Sequence, residues 1–189
     1  IGPKKINCAV FISGTGSNLK SLIKFSNKKS SPISIKLIIS DNAKAKGLKF
    51  GKIFKISKKV INYKKKLIAE KKIISEIKNK NIKLICLAGF MRILSKDFVK
   101  NFKGKILNIH PSLLPKYKGL NTHQRVIKNK EKYSGCTVHF VDSRLDSGKI
   151  ILQKKVKIKR SETAKSLSKK ILTQEHKLYP KAIIKVFSL

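Results

Sequence analysis

Short apolar runs, each followed by polar turn-forming residues, recur along the first 110 residues of the chain. Strands are predicted for residues 7–12, 33–39, 52–56, 84–88 and 106–109. The stretches between them favour helices over residues 19–25, 43–50 and 63–78. Strands that alternate with helices are typical of βαβ units. The pattern therefore predicts an α/β fold with a mainly parallel, Rossmann-like sheet flanked by helices.

The pattern changes after about residue 115, where two predicted strands follow each other with no helix between them. These strands are residues 137–141 and 149–158, and a turn-rich loop, residues 142–148, joins them. A link this short favours antiparallel pairing. A final helix should open near Ser161 or Thr163, either of which can cap it, and continue until Pro180 interrupts or ends it. We therefore expect a single domain with antiparallel strands in its C-terminal half.

The most informative segment is residues 107–115, Leu-Asn-Ile-His-Pro-Ser-Leu-Leu-Pro. In a strand, residues i and i+2 point to the same side, so Asn108 and His110 should face one space. Pro111 then ends regular pairing because it has no N–H. Open α/β folds build their active sites where strands end in this way. We also expect a cis bond at Leu114–Pro115, since two prolines bracket a sharp turn.

A glycine-containing turn, Ser13-Gly14-Thr15-Gly16-Ser17-Asn18, follows the first predicted strand and opens a helix. Glycines permit a tight turn, and the free N–H groups at a helix start attract anions. The turn is not a dinucleotide fingerprint, because Leu19 stands where the third glycine would be, and no Gly-Lys-Ser/Thr follows to make a P-loop. The alternative is a strand–helix turn without a ligand, but the sequence favours a phosphate site.

Asp146 lies in the turn-rich loop between the two late strands. Alone it would be interpreted as a turn residue beside glycine, and His110 alone as a structural histidine. With Asn108 the three form a workable catalytic set, since a nearby carboxylate favours the protonated imidazole. An imidazolium and an amide can then stabilise a developing oxyanion. No serine or cysteine is placed as a nucleophile, so direct attack by a substrate amine is predicted.

Positive charge is extreme, because 46 Lys and Arg residues against nine Asp and Glu residues give a net charge of +37. Basic side chains neutralise nucleic-acid phosphates, so nucleic-acid binding is one interpretation. The lysines are scattered along the whole chain, however, and Lys, Ile and Asn share A/T-rich codons, which favours compositional drift. In either case the positive field should attract anionic substrates.

The three cysteines, Cys8, Cys86 and Cys136, lie singly in separate segments. They are predicted to be small buried hydrophobes, and no Cys or His spacing suggests a metal site. Single cysteines are typical of a reducing compartment, so we expect a cytoplasmic location. No apolar run reaches transmembrane length, and residues 8–12 lack the cleavage site of a signal peptide.

Five blocks of the chain, taken together and in order, resemble the phosphoribosylglycinamide formyltransferases, the folate-dependent enzymes of purine synthesis. The blocks are residues 12–19, 87–94, 107–115, 138–148 and 174–176. The resemblance runs nearly end to end. It implies that 10-formyltetrahydrofolate donates a formyl group to the amine of 5-phosphoribosylglycinamide, without a metal, in a monomer or homodimer. Residues 1–105 would form the phosphate-binding half, and residues 106–189 the catalytic and folate-binding half.

The resemblance also implies roles for individual residues. Gly16, Ser17 and Asn18 would bind the ribose phosphate, and Glu175 the ribose hydroxyls. Asn108 would contact the substrate and, with His110, stabilise the oxyanion, while Asp146 would pair with His110 and relay a proton. Folate contacts are implied for Lys66, Met91, Arg92, Ile93, Leu94, Asp142, Ser143, Arg144, Leu145 and Asp146. One departure is Tyr117-Lys118-Gly119, since relatives commonly have Pro-Gly after the preceding turn.

Three alternatives remain open on the sequence. Methionyl-tRNA formyltransferases share the Asn-x-His and Ser-Leu-Leu-Pro features, but they need a further C-terminal domain for which we expect no room here. Residues 13–18 also fit a small phosphorylated substrate better than a tRNA. Formyltetrahydrofolate hydrolases usually carry an additional N-terminal regulatory domain. The third alternative is a basic nucleic-acid-binding module. It is disfavoured because few aromatic residues lie among the lysines, whereas single-stranded nucleic acids are commonly bound by stacking on aromatic side chains.

Overall fold

The structure, a computed structural model, describes residues 5–187 and contains alternating strands and helices. The strands are β1 (Ile6–Ile12), β2 (Ile33–Ser40), β3 (Ser57–Val60), β4 (Leu84–Leu87), β5 (Lys105–His110), β6 (Tyr133–Phe140) and β7 (Ile150–Lys157). The helices are α1 (Ser17–Ser26), α2 (Lys49–Ile53), α3 (Lys66–Asn79), α4 (Lys96–Asn101), α5 (Thr122–Lys128) and α6 (Ala164–Phe187). The chain divides into two compact units between Leu107 and Asn108.

In the first unit, β1 pairs in parallel with β2 and β4, and β2 pairs in parallel with β3. The strands lie in the order β3-β2-β1-β4, and β5 begins beside β4. Residues 8–12 of β1 and all of β4 are buried, which explains why both are uninterrupted apolar runs. The predicted α/β class with a mainly parallel sheet is confirmed.

In the second unit, β6 and β7 pair antiparallel, with Tyr133 opposite Lys157 and His139 opposite Ile150. This confirms the prediction drawn from the short loop between them. The end of β5 lies beside β6 in the strand order. Helix α6 packs against both β6 and β7. Its predicted start is also confirmed, because the Thr163 hydroxyl accepts a hydrogen bond of 3.1 Å from the backbone N–H of Ser166.

Pro180 neither ends nor visibly interrupts α6, which continues to Phe187. A proline inside a helix costs about 3 kcal/mol, because it removes one backbone hydrogen bond and crowds the preceding turn. The flanking residues Tyr179, Ala182 and Ile183 are fully buried. Full burial of one large apolar side chain stabilises by about 1.5–3 kcal/mol, so packing on both sides of the proline offsets its cost.

The prediction of a strand at residues 52–56 is wrong. A short 3₁₀ turn, Lys46–Leu48, leads into α2, which extends to Ile53, and the strand β3 follows only at Ser57. Lys58, Lys59 and Val60 of β3 are exposed, so this edge strand has no apolar run to mark it. The short helices α4 and α5 were not predicted either, because six or seven residues hold too few turns to show a helical period.

Other local predictions concern the cysteines and one proline. All three cysteines are buried free thiols, as predicted. Burial is the main reason that the pKa of the Cys136 thiol is raised to about 12. The Leu114–Pro115 bond is cis, which is also as predicted. Among residues 5–187, none of the helices has the length and apolar content that a membrane crossing requires.

Candidate active site

The C-terminal end of β5 carries Asn108 and His110, whose side chains converge on Asp146. Leu107 and Ile109 are buried in the intervening positions, so the strand presents its polar residues to one side. The Asp146 Oδ2 atom lies 3.4 Å from His110 Nδ1, and Asp146 Oδ1 accepts a hydrogen bond of 3.4 Å from Asn108 Nδ2. The three residues singled out in the sequence are therefore brought together within the second unit.

Burial strengthens the interaction between Asp146 and His110. Their side chains are only 8% and 7% exposed, so water screens the pair poorly. Asp146 also has φ +46°, a left-handed conformation that aspartate tolerates better than most residues. Its Oδ2 atom accepts a hydrogen bond of 2.9 Å from the backbone N–H of Gly119, which helps to hold the carboxylate in place.

Both ring nitrogens of His110 face oxygen atoms. Nε2 lies 2.8 Å from the backbone carbonyl oxygen of Tyr117, and Nδ1 faces Asp146. A carbonyl oxygen and a carboxylate can only accept hydrogen bonds, so a ring protonated on both nitrogens satisfies both partners. The surroundings of His110 thus suit the imidazolium form that oxyanion stabilisation requires.

His139, near the end of β6, is a site residue that sequence reasoning missed. Its Nδ1 donates to the carbonyl oxygen of Phe140 at 2.8 Å, which leaves Nε2 to accept from Asn108 Nδ2 at 3.2 Å. Burial is the largest influence on the ring and lowers the pKa of His139. A neutral His139 therefore fixes the Asn108 amide with its nitrogen toward the Asp146 carboxylate.

In the first unit, the turn between β1 and α1 is built around a close backbone approach. Gly16 has φ +73°, and a Cβ there would lie 2.7 Å from the Cα of Gly47. The Gly47 N–H donates to the carbonyl oxygen of Gly14 at 3.0 Å. No side chain caps the start of α1 at Ser17, so the backbone N–H groups in the first turn of this helix can bind an anion. Gly47 is a supporting residue that no local sequence signal identified.

A hydrogen-bond network joins this turn to residues 91–94, still within the first unit. The Ser13 hydroxyl donates to Asp41 Oδ1 at 2.5 Å and accepts from the backbone N–H of Met91 at 2.8 Å. Arg92 Nε donates to the other Asp41 oxygen at 2.6 Å. Met91 and Ile93 are exposed apolar side chains, which suits contact with a flat apolar ligand. Asp41 was not singled out in the sequence, yet it holds Arg92 in place.

The other residues implied by the resemblance are distributed over both units. Asn18 is buried on α1, Lys66 is the exposed first residue of α3, and Leu94 is buried. In the second unit, Asp142 accepts a hydrogen bond of 2.8 Å from the N–H of Arg144. Glu175 is a buried carboxylate on α6.

A family model described as "Formyl transferase" matches residues 6–183 of this chain. The chain, with its α/β fold, therefore belongs to the formyl transferase class.

Individual relatives narrow this class. Phosphoribosylglycinamide formyltransferase of Haemophilus influenzae is 42% identical over 98% of this chain and 87% of its own length. The crystal structure of phosphoribosylglycinamide formyltransferase from Brucella melitensis matches with a TM-score of 0.91 and 39% identity, covering 97% of this chain and 96% of that chain. The chain belongs to the phosphoribosylglycinamide formyltransferase family, which confirms the resemblance drawn from its sequence.

Larger proteins contain a similar stretch. The trifunctional purine biosynthetic protein adenosine-3 of Bos taurus is 44% identical over 97% of this chain, but this chain spans only 18% of its length.

Proposed function

We propose that this protein transfers a formyl group from 10-formyltetrahydrofolate to the amine of 5-phosphoribosylglycinamide, a step of purine biosynthesis. The observation that carries the proposal is the convergence of Asn108, His110 and Asp146 in a largely buried cluster. An amide donor and an imidazole can stabilise an oxyanion, and a carboxylate can move a proton, so the three can support acyl transfer to an amine without an enzyme nucleophile. The names of the relatives from Haemophilus influenzae and Brucella melitensis support the same reaction.

In this proposal, the phosphorylated substrate is bound by groups that match its chemistry. Its phosphate is bound by Gly16, Ser17 and Asn18, because the uncapped start of α1 offers backbone N–H groups and a positive helix end. The ribose hydroxyls donate to the Glu175 carboxylate, and Asn108 contacts the substrate near the amine. The large positive charge of the chain assists capture of this anionic substrate.

The folate is bound mainly through apolar and backbone contacts. Met91 and Ile93 offer exposed apolar side chains for the pterin ring, together with the backbone of Arg92 and Leu94. Further folate contacts come from the loop of Asp142, Ser143, Arg144, Leu145 and Asp146. Lys66 supplies a positive charge for the carboxylate tail. Binding both substrates in the correct orientation supplies much of the rate enhancement.

Chemistry then proceeds by direct attack of the amine on the formyl carbon. The carbonyl oxygen becomes an oxyanion, which is stabilised by the positive charge of His110 and by one N–H of the Asn108 amide, which exchanges its long contact with Asp146 for the oxyanion. Asp146 orients the His110 ring and helps to pass the proton lost by the amine to the departing folate nitrogen. The contact between Asp146 and His110 is long at 3.4 Å, and catalytic contacts of this kind tighten when substrate binds.

The test is an assay of formyl transfer with two acceptors in parallel. The purified protein is given 10-formyltetrahydrofolate with either 5-phosphoribosylglycinamide or methionyl-tRNA. We expect transfer to the small acceptor and none to the tRNA, and the reaction should persist at moderate salt, whereas binding that depends on nucleic-acid phosphates weakens steeply. Transfer to the tRNA alone, or release of formate without an acceptor amine, would show that the proposed substrate is wrong.

A further inference from the structure

Lys118, beside the candidate catalytic pair, has a specific partner in the structure. Its Nζ atom donates a hydrogen bond of 2.6 Å to the hydroxyl of Ser147. Ser147 in turn donates to the carbonyl oxygen of Leu145 at 2.9 Å, so its hydroxyl is held from two sides. The lysine thereby links residues 117–119 to the loop that carries Asp146.

The neighbours of Lys118 contact the candidate catalytic pair directly. The carbonyl oxygen of Tyr117 lies 2.8 Å from His110 Nε2, and the N–H of Gly119 donates to Asp146 Oδ2 at 2.9 Å. Three consecutive residues therefore contact His110, Ser147 and Asp146 in turn. One short segment therefore fixes the distance between the His110 imidazole and the Asp146 carboxylate.

The segment is itself firmly anchored. Tyr117, Gly119 and Asn121 all have positive φ angles, of 57°, 77° and 56°, so the turn has a narrowly defined shape. Arg125 of α5 donates to the carbonyl oxygen of Lys118 at 2.6 Å, and its guanidinium lies over the Tyr117 ring at 5.4 Å from the ring centre. A rigid segment of this kind can position a loop that is bonded to it.

We propose that Lys118 and Ser147 form a tether that positions Asp146 against His110, which makes Lys118 a positioning residue. The catalytic consequence rests on the function proposed above. Lys118 is adjacent in sequence to Gly119, and Ser147 is adjacent to Asp146. Loss of the tether therefore loosens the hydrogen bond between Gly119 and Asp146 first. A misplacement of about 1 Å at a reacting group can lower a rate roughly a hundredfold, so a modest loosening is measurable.

The tether can be tested without reference to activity, by hydrogen exchange of the Gly119 amide in NMR. That N–H donates to Asp146, so its protection reports where the carboxylate lies. Lys118→Ala and Ser147→Ala should each speed exchange by about three- to tenfold, the range expected for one lost hydrogen bond. The double variant should be no faster than either single variant. Substitution of Lys118 also changes the intrinsic exchange rate of the adjacent Gly119 amide, so the measured rates are corrected for this effect. Ser147→Ala needs no such correction, because Ser147 is distant from Gly119 in sequence.

Lys116→Ala is the matched control, because it removes a lysine two positions away whose Nζ bonds Glu131 at 3.2 Å instead. It should leave Gly119 exchange and kcat as in the wild type. Both tether variants should lower kcat by a similar three- to tenfold while the KM of each substrate changes little, and Lys118→Arg should restore part of the loss.

Wild-type Gly119 exchange in Ser147→Ala, or equal effects in Lys116→Ala, would overturn the tether. So would a double variant whose effect is the product of the two single effects. If the wild type transfers no formyl group at all, the proposed function fails, while the exchange experiment still decides whether the tether positions Asp146.

Discussion

Replacing Asp146 with asparagine tests the catalytic carboxylate with little change of shape. Asparagine has the same size, and its amide oxygen can still accept from the Gly119 N–H, so the variant should fold. Its effect on rate follows from the charge that is lost 3.4 Å from His110 Nδ1 in a buried site. Coulomb's law with an effective dielectric constant of about 20 gives an interaction of about 5 kcal/mol. Each 1.4 kcal/mol corresponds to about tenfold in rate, so kcat should fall roughly a thousandfold.

The assay is steady-state formyl transfer to 5-phosphoribosylglycinamide, with thermal unfolding measured on the same samples. Asp97→Asn is the matched control, since Asp97 is an exposed carboxylate in the first turn of α4 and should leave kcat unchanged. The reasoning is refuted if folded Asp146→Asn retains kcat within about threefold of the wild type, because the buried charge would then contribute less than about 1 kcal/mol to the transition state.

Three further predictions concern other residues. His110→Ala should lower kcat by about a hundredfold or more while the dissociation constant of folate, measured by titration, changes little, since the ring acts in the transition state; unchanged kcat with a raised KM would contradict this. Gly47→Ala should raise the KM of the phosphorylated acceptor by about tenfold, because the new Cβ would lie 2.6 Å from Ile12 Cδ1 and 2.9 Å from Gly16 Cα. The control Gly14→Ala should raise this KM far less, because a Cβ at Gly14 meets nothing within 4 Å. Burial lowers the pKa values of His123, His139 and His176, so below the ordinary value of 6.5 the unfolded chain binds more protons than the folded one, and the free energy of unfolding should fall as pH drops from 6.5 toward 5. In urea titrations, His139→Gln should reduce the dependence of this free energy on pH by up to about 1.4 kcal/mol per pH unit. An unchanged pH dependence would argue against a neutral buried His139 ring.

Much of the fold could be predicted because its central strands are buried on both faces. β1 and β4 are apolar throughout their buried stretches, and such runs are visible without any knowledge of neighbours. The strand β3 lies at the edge of the sheet and is largely exposed, so nothing in its composition distinguishes it from a loop. Pro180 was expected to limit the last helix, but contacts distant in sequence stabilise α6 across it.

The site was partly predictable for a similar reason. The alternation of Asn108 and His110 along one strand is a local pattern, and it predicts their common direction. The role of His139 depends on pairing between separate elements and on the acceptor left free by its bond to Phe140. The tether of Lys118 to Ser147 and the approach of Gly47 to Gly16 likewise arise from contacts across 29 and 31 positions, which no local pattern encodes.

The central claim is that Asn108, His110 and Asp146 stabilise negative charge during direct transfer of the formyl group to an amine. Its most direct test is the single-turnover rate of transfer from radiolabelled 10-formyltetrahydrofolate in the wild type, in Asn108→Ala and in the exposed control Asn79→Ala. Loss of one oxyanion donor should slow Asn108→Ala by roughly a hundred- to a thousandfold, with Asn79→Ala unaffected and no label bound to the protein. An unaltered rate in Asn108→Ala, or label trapped covalently on the enzyme, would contradict the account.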